Sequence, residues 1–495
     1  MTIDADFSAA VFKVPARFEV PFDYLLKEKQ EVDFESTYRL ICDHLQQTVL
    51  LESTQALLEW DERTGMPEAG ASFRAEQVSL LAGLVHQRRT DPRLGTWLNE
   101  LASHASDHDP HGEVGCNIRQ ATRDFQKNCK LPQRLVEELS RATVLGQQAW
   151  SSARADDDFK FFLPHLETMI RLKKEQAEAI EYKEDPYDAL LDEYEPESST
   201  HEIAETLKVL RDQLVPIVKA IAESDTRPDS TILRRSYAVQ QQQEFSREVV
   251  AQMGFEFRRG RLDETDHPFC TSVGRGDCRI TTRYDERFFP TSFFGTLHEA
   301  GHGMYDQGLS ESSYGLPAGS YVSLGIHESQ SRMWENLVGR SLPFWEYFFA
   351  KAQNIFMPTL DDVELGDFHF AVNDVRPSLI RVEADEVTYN LHIVIRFELE
   401  RALLSGDLQP ADVPVAWNDA YERDLGIRPT NDADGVLQDI HWSAGLFGYF
   451  PTYSLGNLYA AQLFAAADQS IGPLGPQFAR GEFGELLKWL RKNVH

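Results

Sequence analysis

The sequence predicts a mainly α-helical protein with one small β-sheet, and three observations support this prediction. Apolar residues recur every three or four positions over long stretches, above all over residues 34–61. The region 130–183 is rich in Glu, Lys, Ala, Gln and Leu, which favour helices. Strand-like alternation is scarce, and its best example spans residues 278–284.

Two helices are predicted near the start of the chain. Over residues 34–61, Ile41, Leu45 and other apolar residues at the same spacing would form one buried face. The sequence Gly-Met-Pro at 65–67 interrupts this pattern. A second helix is then predicted over residues 72–88, where the apolar spacing resumes.

Other segments are predicted to lie outside these helices. Residues 1–33 show no long periodic pattern and are interpreted as an N-terminal extension. A loop is predicted over residues 184–200, where Asp, Glu, Pro and Ser are frequent. Thr200, or Ser199 before it, would cap a helix that runs towards Ile221.

The composition is that of a folded, acidic protein. Hydrophobic residues make up 42% of the chain and charged residues 26%, so a packed core is expected. The formal net charge is −30, and only short basic pairs such as Arg88–Arg89 occur, which excludes nucleic acid and anionic membranes as expected partners. Neither a secretory leader nor a long apolar run is visible, which predicts a cytoplasmic protein without a membrane span.

The cysteines predict no disulfide framework. There are five of them, Cys42, Cys116, Cys129, Cys270 and Cys278, and no CxxC motif occurs. The odd number and the low density argue against both a disulfide scaffold and a cysteine zinc site. We expect reduced, partly buried thiols.

The sequence His-Glu-Ala-Gly-His at 298–302 indicates a metal site. On a helix, His298 and His302 lie one turn apart on the same face and can reach one tetrahedral Zn²⁺. Glu299 would then accept a proton from the activated water. Thr291 and Ser292 are candidates to cap this helix.

A catalytic zinc needs a third protein ligand and an open position. Tyr305 and Gly308 stand where the metzincin pattern requires Gly and His, so that class is excluded. Farther on, Glu328 and Glu335 are seven residues apart and share a helix face, and His327 is the nitrogen alternative. Spacing alone favours Glu328 only slightly over Glu335.

Six short motifs occur in a fixed order along the chain. They are HPF at 267–269, DxRxT at 277–281, HExxH at 298–302, HES(G/Q) at 327–330, IRxxAD at 380–385 and GxxQDxHW at 435–442. With these motifs the sequence resembles the carboxypeptidase Taq family of metallocarboxypeptidases. The resemblance identifies residues 34–495 as one catalytic domain and leaves residues 1–33 uncovered.

The resemblance implies a helical fold with two lobes around a deep groove, and a homodimer. It also implies Zn²⁺, or Co²⁺, held by His298, His302 and Glu328, which decides between Glu328 and Glu335. The implied reaction is the release of single residues from the free C-terminus of peptides, with broad side-chain tolerance and with Glu299 as the general base.

A carboxypeptidase must also bind the carboxylate of its substrate. A guanidinium group is the best bidentate partner for a carboxylate. Arg381, in the IRxxAD motif, is the first choice, with Arg279 and Arg428 as alternatives. A second donor to the developing oxyanion is expected in or just after the last motif. The candidates for this donor are His441, Tyr449 and Tyr453.

Further residues are expected to support the metal ligands. Metal-bound histidines usually donate their other N–H group to a carboxylate or a carbonyl. The candidates for such support are His267, Asp277, Asp385 and Asp439. Asp277 and Asp385 are the preferred partners of the histidines, and a local turn or cap is the alternative role for these aspartates.

Two rival functions are compatible with the metal motif. A zinc oligopeptidase or aminopeptidase would share HExxH and a distant glutamate, but an aminopeptidase would hold the free amine with acidic side chains rather than with an arginine. A non-enzymatic helical scaffold is disfavoured, because Glu299 and all three expected ligands are present.

Overall fold

The computed structural model describes residues 33–495 apart from 103, 105–107 and 266–267. Within this part the protein is mainly helical with one three-stranded sheet, which confirms the predicted fold class. The expected extension over residues 1–33 lies almost wholly outside the described residues.

Nine α-helices precede the sheet in the described part of the chain. They are α1 (Phe34–Thr64), α2 (Ala71–Arg89), α3 (Pro92–Ala102), α4 (Glu113–Lys130), α5 (Gln133–Asp156), α6 (Phe159–Ile180), α7 (Pro186–Leu191), α8 (Thr200–Glu223) and α9 (Val239–Met253). The helices predicted over 34–61 and 72–88 are confirmed as α1 and α2. The predicted loop over 184–200 contains the short helix α7, which begins at Pro186, a residue that favours the first turn of a helix.

The sheet stands between these helices and the metal motif. Its strands are β1 (Gly260–Glu264), β2 (Cys270–Gly274) and β3 (Asp277–Thr282). The strand predicted over 278–284 is β3, which lies in the middle, parallel to β1 and antiparallel to β2. Thr282 Oγ1 donates a hydrogen bond of 3.1 Å to the carbonyl of Ser292, and this contact fixes the next helix against β3.

Nine further α-helices follow. They are α10 (Phe289–Asp306), α11 (Leu324–Arg332), α12 (Leu342–Ile355), α13 (Leu365–Val372), α14 (Tyr389–Ser405), α15 (Val413–Leu425), α16 (Pro451–Ile471), α17 (Leu474–Phe478) and α18 (Gly484–Asn493). A π-helix, Met333–Val338, continues α11. The prediction that Thr291 or Ser292 caps α10 is wrong, because the helix begins at Phe289, and the buried Ser292 hydroxyl donates to Gln242 instead.

The core consists of two large clusters of buried apolar residues and one small cluster. The first large cluster surrounds α10 and includes Phe293 and Trp345. The second contains α14 and α15, with Leu391 and Trp417 among its buried residues. The small cluster joins α1, α3 and α4 around Leu98. The helix that carries the metal motif is thus anchored in the first large cluster.

Candidate metal centre and cleft

α10 presents its two motif histidines and Glu299 to a cleft, while Phe293 and Leu297 are fully buried behind them. α11 crosses α10 at close range beside the histidines. A Cβ atom on Gly301 would lie 2.6 Å from the backbone of Ser331, so glycine is required for this approach. The close packing of the two helices brings Glu328 to the same point as the two histidines.

His298, His302 and Glu328 converge on one point. The Nε2 atoms of His298 and His302 lie 3.7 Å and 3.4 Å from Oε2 of Glu328, and the three ligand atoms lie within 4.8 Å of one another. Ligand atoms of a tetrahedral zinc site stand roughly 3.3–3.6 Å apart. Two imidazoles and a carboxylate at this spacing fit a divalent cation with an open position.

The far nitrogen of each histidine has a partner of its own. His298 Nδ1 lies 2.9 Å from Oε2 of Glu335, and His302 Nδ1 lies 2.5 Å from Nδ1 of His327. The other nitrogen of His327 lies 3.0 Å from Oδ1 of Asp306. Glu335 and His327 therefore stand behind the histidines and leave the Nε2 atoms facing Glu328.

The two oxygens of the Glu328 carboxylate have different partners. Its Oε1 accepts a hydrogen bond of 2.7 Å from Nε of Arg332, and its Oε2 faces the histidines. Burial opposes ionisation, but Arg332 and the histidines outweigh it and hold the pKa of Glu328 well below its usual range. The side chain is therefore an anion at neutral pH.

Burial and neighbouring charges shift the pKa values of the remaining groups of the centre. Burial lowers the pKa of His302 to about 4, so its ring is neutral and its lone pair is available. Burial opposes the protonation of His298, but Glu328 and Glu335 outweigh it and raise the pKa of that ring. Burial raises the pKa of Glu299 to about 7, which lies in the range of an effective general base at neutral pH.

The N-terminus of α11 is held by a buried carboxylate. Glu195 is 3% exposed, and its Oε1 accepts a hydrogen bond from the backbone N–H of Gly325. A Cβ atom on Gly325 would lie 2.5 Å from this oxygen, so the approach requires glycine. Ser323 caps the same helix by accepting from the N–H of Ile326. These contacts fix the position of the helix that carries Glu328.

Glu195 is expected to make the stability of the protein fall as pH rises from about 5 to 8. Burial raises its pKa to about 7, so the folded protein retains a proton that the unfolded chain releases near pH 4.3. The contribution of Glu195 to stability is fully present below the pKa that this residue has in the unfolded chain, and it is lost as pH rises through 7. In the unaltered protein, Glu195 should lower the free energy of unfolding by on the order of 2–3 kcal/mol between pH 5 and 8. Glu195→Gln should remove this decline, as measured by urea unfolding across the same pH range.

A matched control for this experiment is Glu197→Gln. Glu197 lies in the same loop and is exposed, so its substitution should leave the pH dependence unchanged. An equally steep decline in Glu195→Gln and in the unaltered protein would contradict the assignment.

The centre opens into a cleft of about 660 Å³. Its walls come from β2 and the β2–β3 turn, the exposed face of α10, the segment 309–321 and the start of α16. Tyr449 and Tyr453 stand across from α10 and face the same space. The cleft thus places two phenol groups opposite the metal-ligand residues.

The predicted oxyanion donors lie together. His441 Nε2 is 3.2 Å from the hydroxyl of Tyr453, and the ring centroids of Tyr449 and Tyr453 are 5.1 Å apart. Burial lowers the pKa of His441 to about 3 and raises the pKa of both tyrosines. His441 is therefore neutral and lies behind Tyr453, whereas both phenols keep their protons and line the cleft.

The three candidate arginines differ in their surroundings. Arg381 is 5% exposed, binds Asp439 through Nε at 2.9 Å, and lies with its guanidinium 5.1 Å from the centre of the Tyr453 ring. Arg279 makes two hydrogen bonds, of 2.8 Å and 2.7 Å, to the carboxylate of Asp277. Of Arg381 and Arg279, only Arg381 lies next to a cleft side chain that stands opposite α10, namely Tyr453.

Arg428 lies on the surface. It forms ion pairs of 2.8 Å with Asp419 and Glu422, and its side chain is 44% exposed. Neither Arg428 nor Arg279 lies beside the cleft tyrosines as Arg381 does, so position favours Arg381 over these two alternatives.

The aspartates expected to orient the ligand histidines have other roles. Asp385 accepts hydrogen bonds from the backbone N–H groups of Val387 and Thr388, which is a local cap. Asp277 pairs with Arg279 two residues away. The preferred prediction for these two residues is therefore wrong, since Glu335 and His327 contact the histidines instead.

Asp439 and His267 are the other two residues that were expected to support the metal ligands. Asp439 joins Arg381 and Arg396 in a buried ion-pair network, with Oδ1 and Oδ2 at 2.8 Å and 2.6 Å from the two guanidiniums. It therefore supports Arg381 rather than a histidine of the metal centre. His267 lies outside the described residues.

Sequence reasoning missed the partners of the ligands. It considered Glu335 and His327 only as alternative ligands, and it did not consider Arg332 or Asp306 at all. The signal was present for Arg332, because an arginine at i+4 from a helical glutamate is a standard ion-pair spacing. No such signal marked Asp306, whose contact with His327 depends on how α10 and α11 cross.

Comparison with known proteins identifies the family of this chain. The family model for carboxypeptidase Taq (M32) metallopeptidases matches residues 41–495. The chain belongs to this family. It is therefore a metallocarboxypeptidase, a hydrolase that acts on peptide bonds.

Individual relatives agree with this membership. The thermostable carboxypeptidase 1 of Thermus thermophilus is 48% identical over 470 residues, which cover 93% of this chain and 92% of the relative. Carboxypeptidase 1 of Bacillus subtilis is 39% identical over 440 residues, with 89% and 87% covered. The crystal structure of an M32 carboxypeptidase from Deinococcus radiodurans R1 superimposes with a TM-score of 0.89 at 41% identity, covering 93% and 92% of the two chains.

The family resemblance drawn from the six motifs is thus confirmed, and the aminopeptidase and scaffold alternatives are not favoured. Membership in a metallopeptidase family implies a divalent metal. Among the described helices, none combines the length and the apolarity that are needed to cross a bilayer.

Proposed function

We propose that His298, His302 and Glu328 hold the divalent metal of this carboxypeptidase and that Glu299 is its general base. The observation that carries the proposal is the convergence of three ligand atoms within 4.8 Å, on a helix pair that also presents Glu299 to the cleft. Zn²⁺ suits two imidazoles and one carboxylate, and Co²⁺ accepts the same ligands.

The reaction requires proton transfer, which we assign to Glu299. When bound, the cation would act as a Lewis acid that polarises the scissile carbonyl and acidifies a water molecule. Glu299 accepts the proton from the attacking water and later gives it to the leaving amine. Burial raises the pKa of this carboxyl in the metal-free centre, and the charge of a bound cation would lower it again.

The developing negative charge on the scissile carbonyl needs a hydrogen-bond donor from the chain. Tyr449 and Tyr453 line the cleft and remain protonated, because burial raises the pKa of both phenols. Tyr453 is already bonded to His441. We therefore assign the donor role first to Tyr449, with Tyr453 and His441 fixing the position of the phenol pair.

Arg381 is assigned to the terminal carboxylate of the substrate. Its Nε and Nη2 atoms bind Asp439 and its Nη1 atom binds the hydroxyl of Tyr389, which holds the guanidinium rigidly behind the cleft tyrosines. Asp439 is shared with Arg396, so the pair of arginines carries more positive charge than this aspartate neutralises. A substrate carboxylate would balance that charge.

Arg381→Ala is expected to raise KM for peptides with a free C-terminus by roughly 10–100-fold, because a charge-assisted hydrogen bond contributes about 1.5–3 kcal/mol. Peptides with a C-terminal amide should be affected much less. The measurement is kcat and KM on a matched acid and amide pair. Arg428→Ala, on the surface, is the control and should change neither value.

Loss of Arg381 also leaves Asp439 with one partner, which can destabilise the fold. Arg381→Lys keeps a positive charge beside Asp439 but loses the fork geometry. A folded Arg381→Lys variant with an unchanged acid-to-amide preference would contradict the carboxylate assignment.

The reaction itself is tested with an N-terminally acetylated peptide and mass spectrometry. Stepwise loss of C-terminal residues, abolished by a chelator and restored by Zn²⁺ or Co²⁺, is the expected result and also compares the two metals. Internal fragments would indicate an oligopeptidase instead. An aminopeptidase would leave the blocked peptide intact.

Three further properties are proposed, the first two of them from the family resemblance. Residues 34–495 act as one catalytic domain with two lobes, which is supported by the presence of two separate large core clusters. The enzyme is a homodimer, to be tested by light scattering during size-exclusion chromatography. It acts on peptides in the cytoplasm, to be tested by cell fractionation.

A further inference from the structure

A second cluster of metal-binding side chains lies beside the proposed centre. It consists of Cys270 on β2, Cys278 on β3 and Asp306 at the end of α10. In the antiparallel register, Ser272 pairs with Cys278, so the two cysteines lie two positions apart on the same face of the sheet. That face packs against α10, which brings Asp306 to the two thiols.

The distances suit a shared ion. The two Sγ atoms are 3.8 Å apart, and Sγ of Cys270 lies 4.0 Å from Oδ2 of Asp306. With Zn–S bonds of about 2.3 Å, two thiolates of a tetrahedral zinc stand roughly 3.8 Å apart. All five cysteines of the chain lie in the described part as free thiols, so this pair is not joined by a disulfide.

The carboxylate of this cluster is already oriented. Oδ1 of Asp306 lies 3.0 Å from Nε2 of His327, which leaves Oδ2 directed to the thiols. Ligating carboxylates are commonly held in this way by a second hydrogen bond. Within the described residues, the salt bridge of Asp306 is with His327 rather than with a lysine or arginine, so no fixed cation competes for the site.

The cluster is accessible to an ion from solution. Cys270, Cys278 and Asp306 all contribute to the wall of the cleft. Cys278 itself is only 3% exposed, and its Sγ also lies 3.8 Å from the carbonyl of Gly303. Three protein donors are therefore fixed on one side, and the cleft side is left for a water molecule as a fourth ligand.

We propose that Cys270, Cys278 and Asp306 form a second binding site, for a thiophilic divalent cation such as Zn²⁺, Cd²⁺ or Co²⁺. Two thiolates select borderline and soft cations over Mg²⁺ and Ca²⁺, which prefer oxygen ligands. On binding, each thiol releases its proton to solvent and the cation takes both thiolates and the Asp306 carboxylate. The site shares no ligand with His298, His302 and Glu328.

Co²⁺ is the probe for this site, because thiolate ligands give an intense near-ultraviolet charge-transfer absorption that imidazole and carboxylate ligands do not give. The reduced, metal-free full-length protein is titrated with CoCl₂ and the bound metal is counted. We expect two equivalents per chain, of which one produces the thiolate band. Cys270→Ser should lose the band and one equivalent while it retains the other equivalent and peptidase activity.

Two further variants separate this site from the catalytic one. Asp306→Asn should weaken the thiolate band without disturbing the buried Cys278, and Cys129→Ser, an exposed cysteine elsewhere, should leave it unchanged. His298→Ala should lose the equivalent without the band and keep the thiolate band. If His298→Ala instead binds two equivalents and keeps the band, the result counts against the proposed catalytic ligands and leaves the second site intact.

The proposal is overturned by any of three results. The first is a wild-type titration without a thiolate band, and the second is a band that persists in Cys270→Ser. The third is a Cys270–Cys278 disulfide in the protein as purified, detected as the loss of two free thiols under denaturing conditions.

Discussion

Glu299→Gln is expected to lower kcat on an acetylated peptide by about 10²–10⁴-fold, the usual contribution of a general base. Glutamine matches glutamate in size but cannot accept the proton of the attacking water. The side chain is 7% exposed and follows His298 directly, so the substitution changes proton transfer without opening the site. Steady-state kinetics together with metal content per chain would measure the effect.

The metal content separates two causes of lost activity. Glu299 is not one of the three proposed ligands, so the variant should bind Zn²⁺ or Co²⁺ as fully as the unaltered enzyme does. Glu311→Gln is a matched control, because Glu311 also lines the cleft but is an exposed partner of Arg259. A Glu299→Gln enzyme with full metal and a near-normal kcat would show that another group is the base.

Local patterns in the sequence predicted the parts of this site that depend on one helix. The spacing of His298 and His302 fixes both rings on one face of α10, and the apolar residues behind them fix which face is buried. The packing of α11 on α10 was not predictable in the same way. It depends on a backbone contact at Gly301, which is a long-range feature of the folded chain.

The difference between Glu328 and Glu335 illustrates this limit. The spacing of seven residues predicted that the two carboxylates share a helix face, but it did not distinguish their roles. Both lie beside His298, but Glu328 faces its Nε2 atom and Glu335 faces its Nδ1 atom. Between them the chain passes from α11 into a π-helix, a change that the apolar pattern of the sequence did not reveal.

Sequence patterns also could not indicate which charged residues pair when they lie far apart in the chain. Arg381, Arg279 and Arg428 are equivalent as residue types, but only Arg381 is buried beside the cleft tyrosines. Its partner Asp439 is 58 positions away, so no local spacing indicated the pair. The cysteine pair is a similar case, because Cys270 and Cys278 meet only through the register of β2 and β3.

The second large effect is expected from removing the carboxylate ligand. Glu328→Gln should weaken metal binding by more than 100-fold and abolish peptidase activity at ordinary metal concentrations, because a neutral amide is a poor ligand for the cation. Glu335→Gln should weaken binding by only about 10–100-fold, the usual effect of a residue that supports a metal-bound histidine. Metal affinity measured with a competing chelator gives both values.

Activity at saturating metal then distinguishes the two roles. Glu335→Gln should recover most of its kcat when excess Zn²⁺ or Co²⁺ is added, since the three ligands and Glu299 remain. Glu328→Gln should not recover, because the coordination itself is changed. The reverse order of effects would make Glu335 the ligand, in agreement with the alternative that spacing alone left open.

Stability must be measured alongside affinity, because Arg332 contacts both carboxylates. Its Nε lies 2.7 Å from Oε1 of Glu328, and Nη1 lies 3.4 Å from Oε2 of Glu335. Loss of one partner of a buried ion pair costs about 3–5 kcal/mol when the other charge is left alone. Since each variant leaves Arg332 one carboxylate, the metal-free proteins should both remain folded, with Glu328→Gln the less stable because it loses the shorter contact. A Glu328→Gln protein that unfolds at the temperature of the unaltered metal-free enzyme would show that the Arg332 pair contributes little, and its loss of activity would then be due to the missing metal ligand alone.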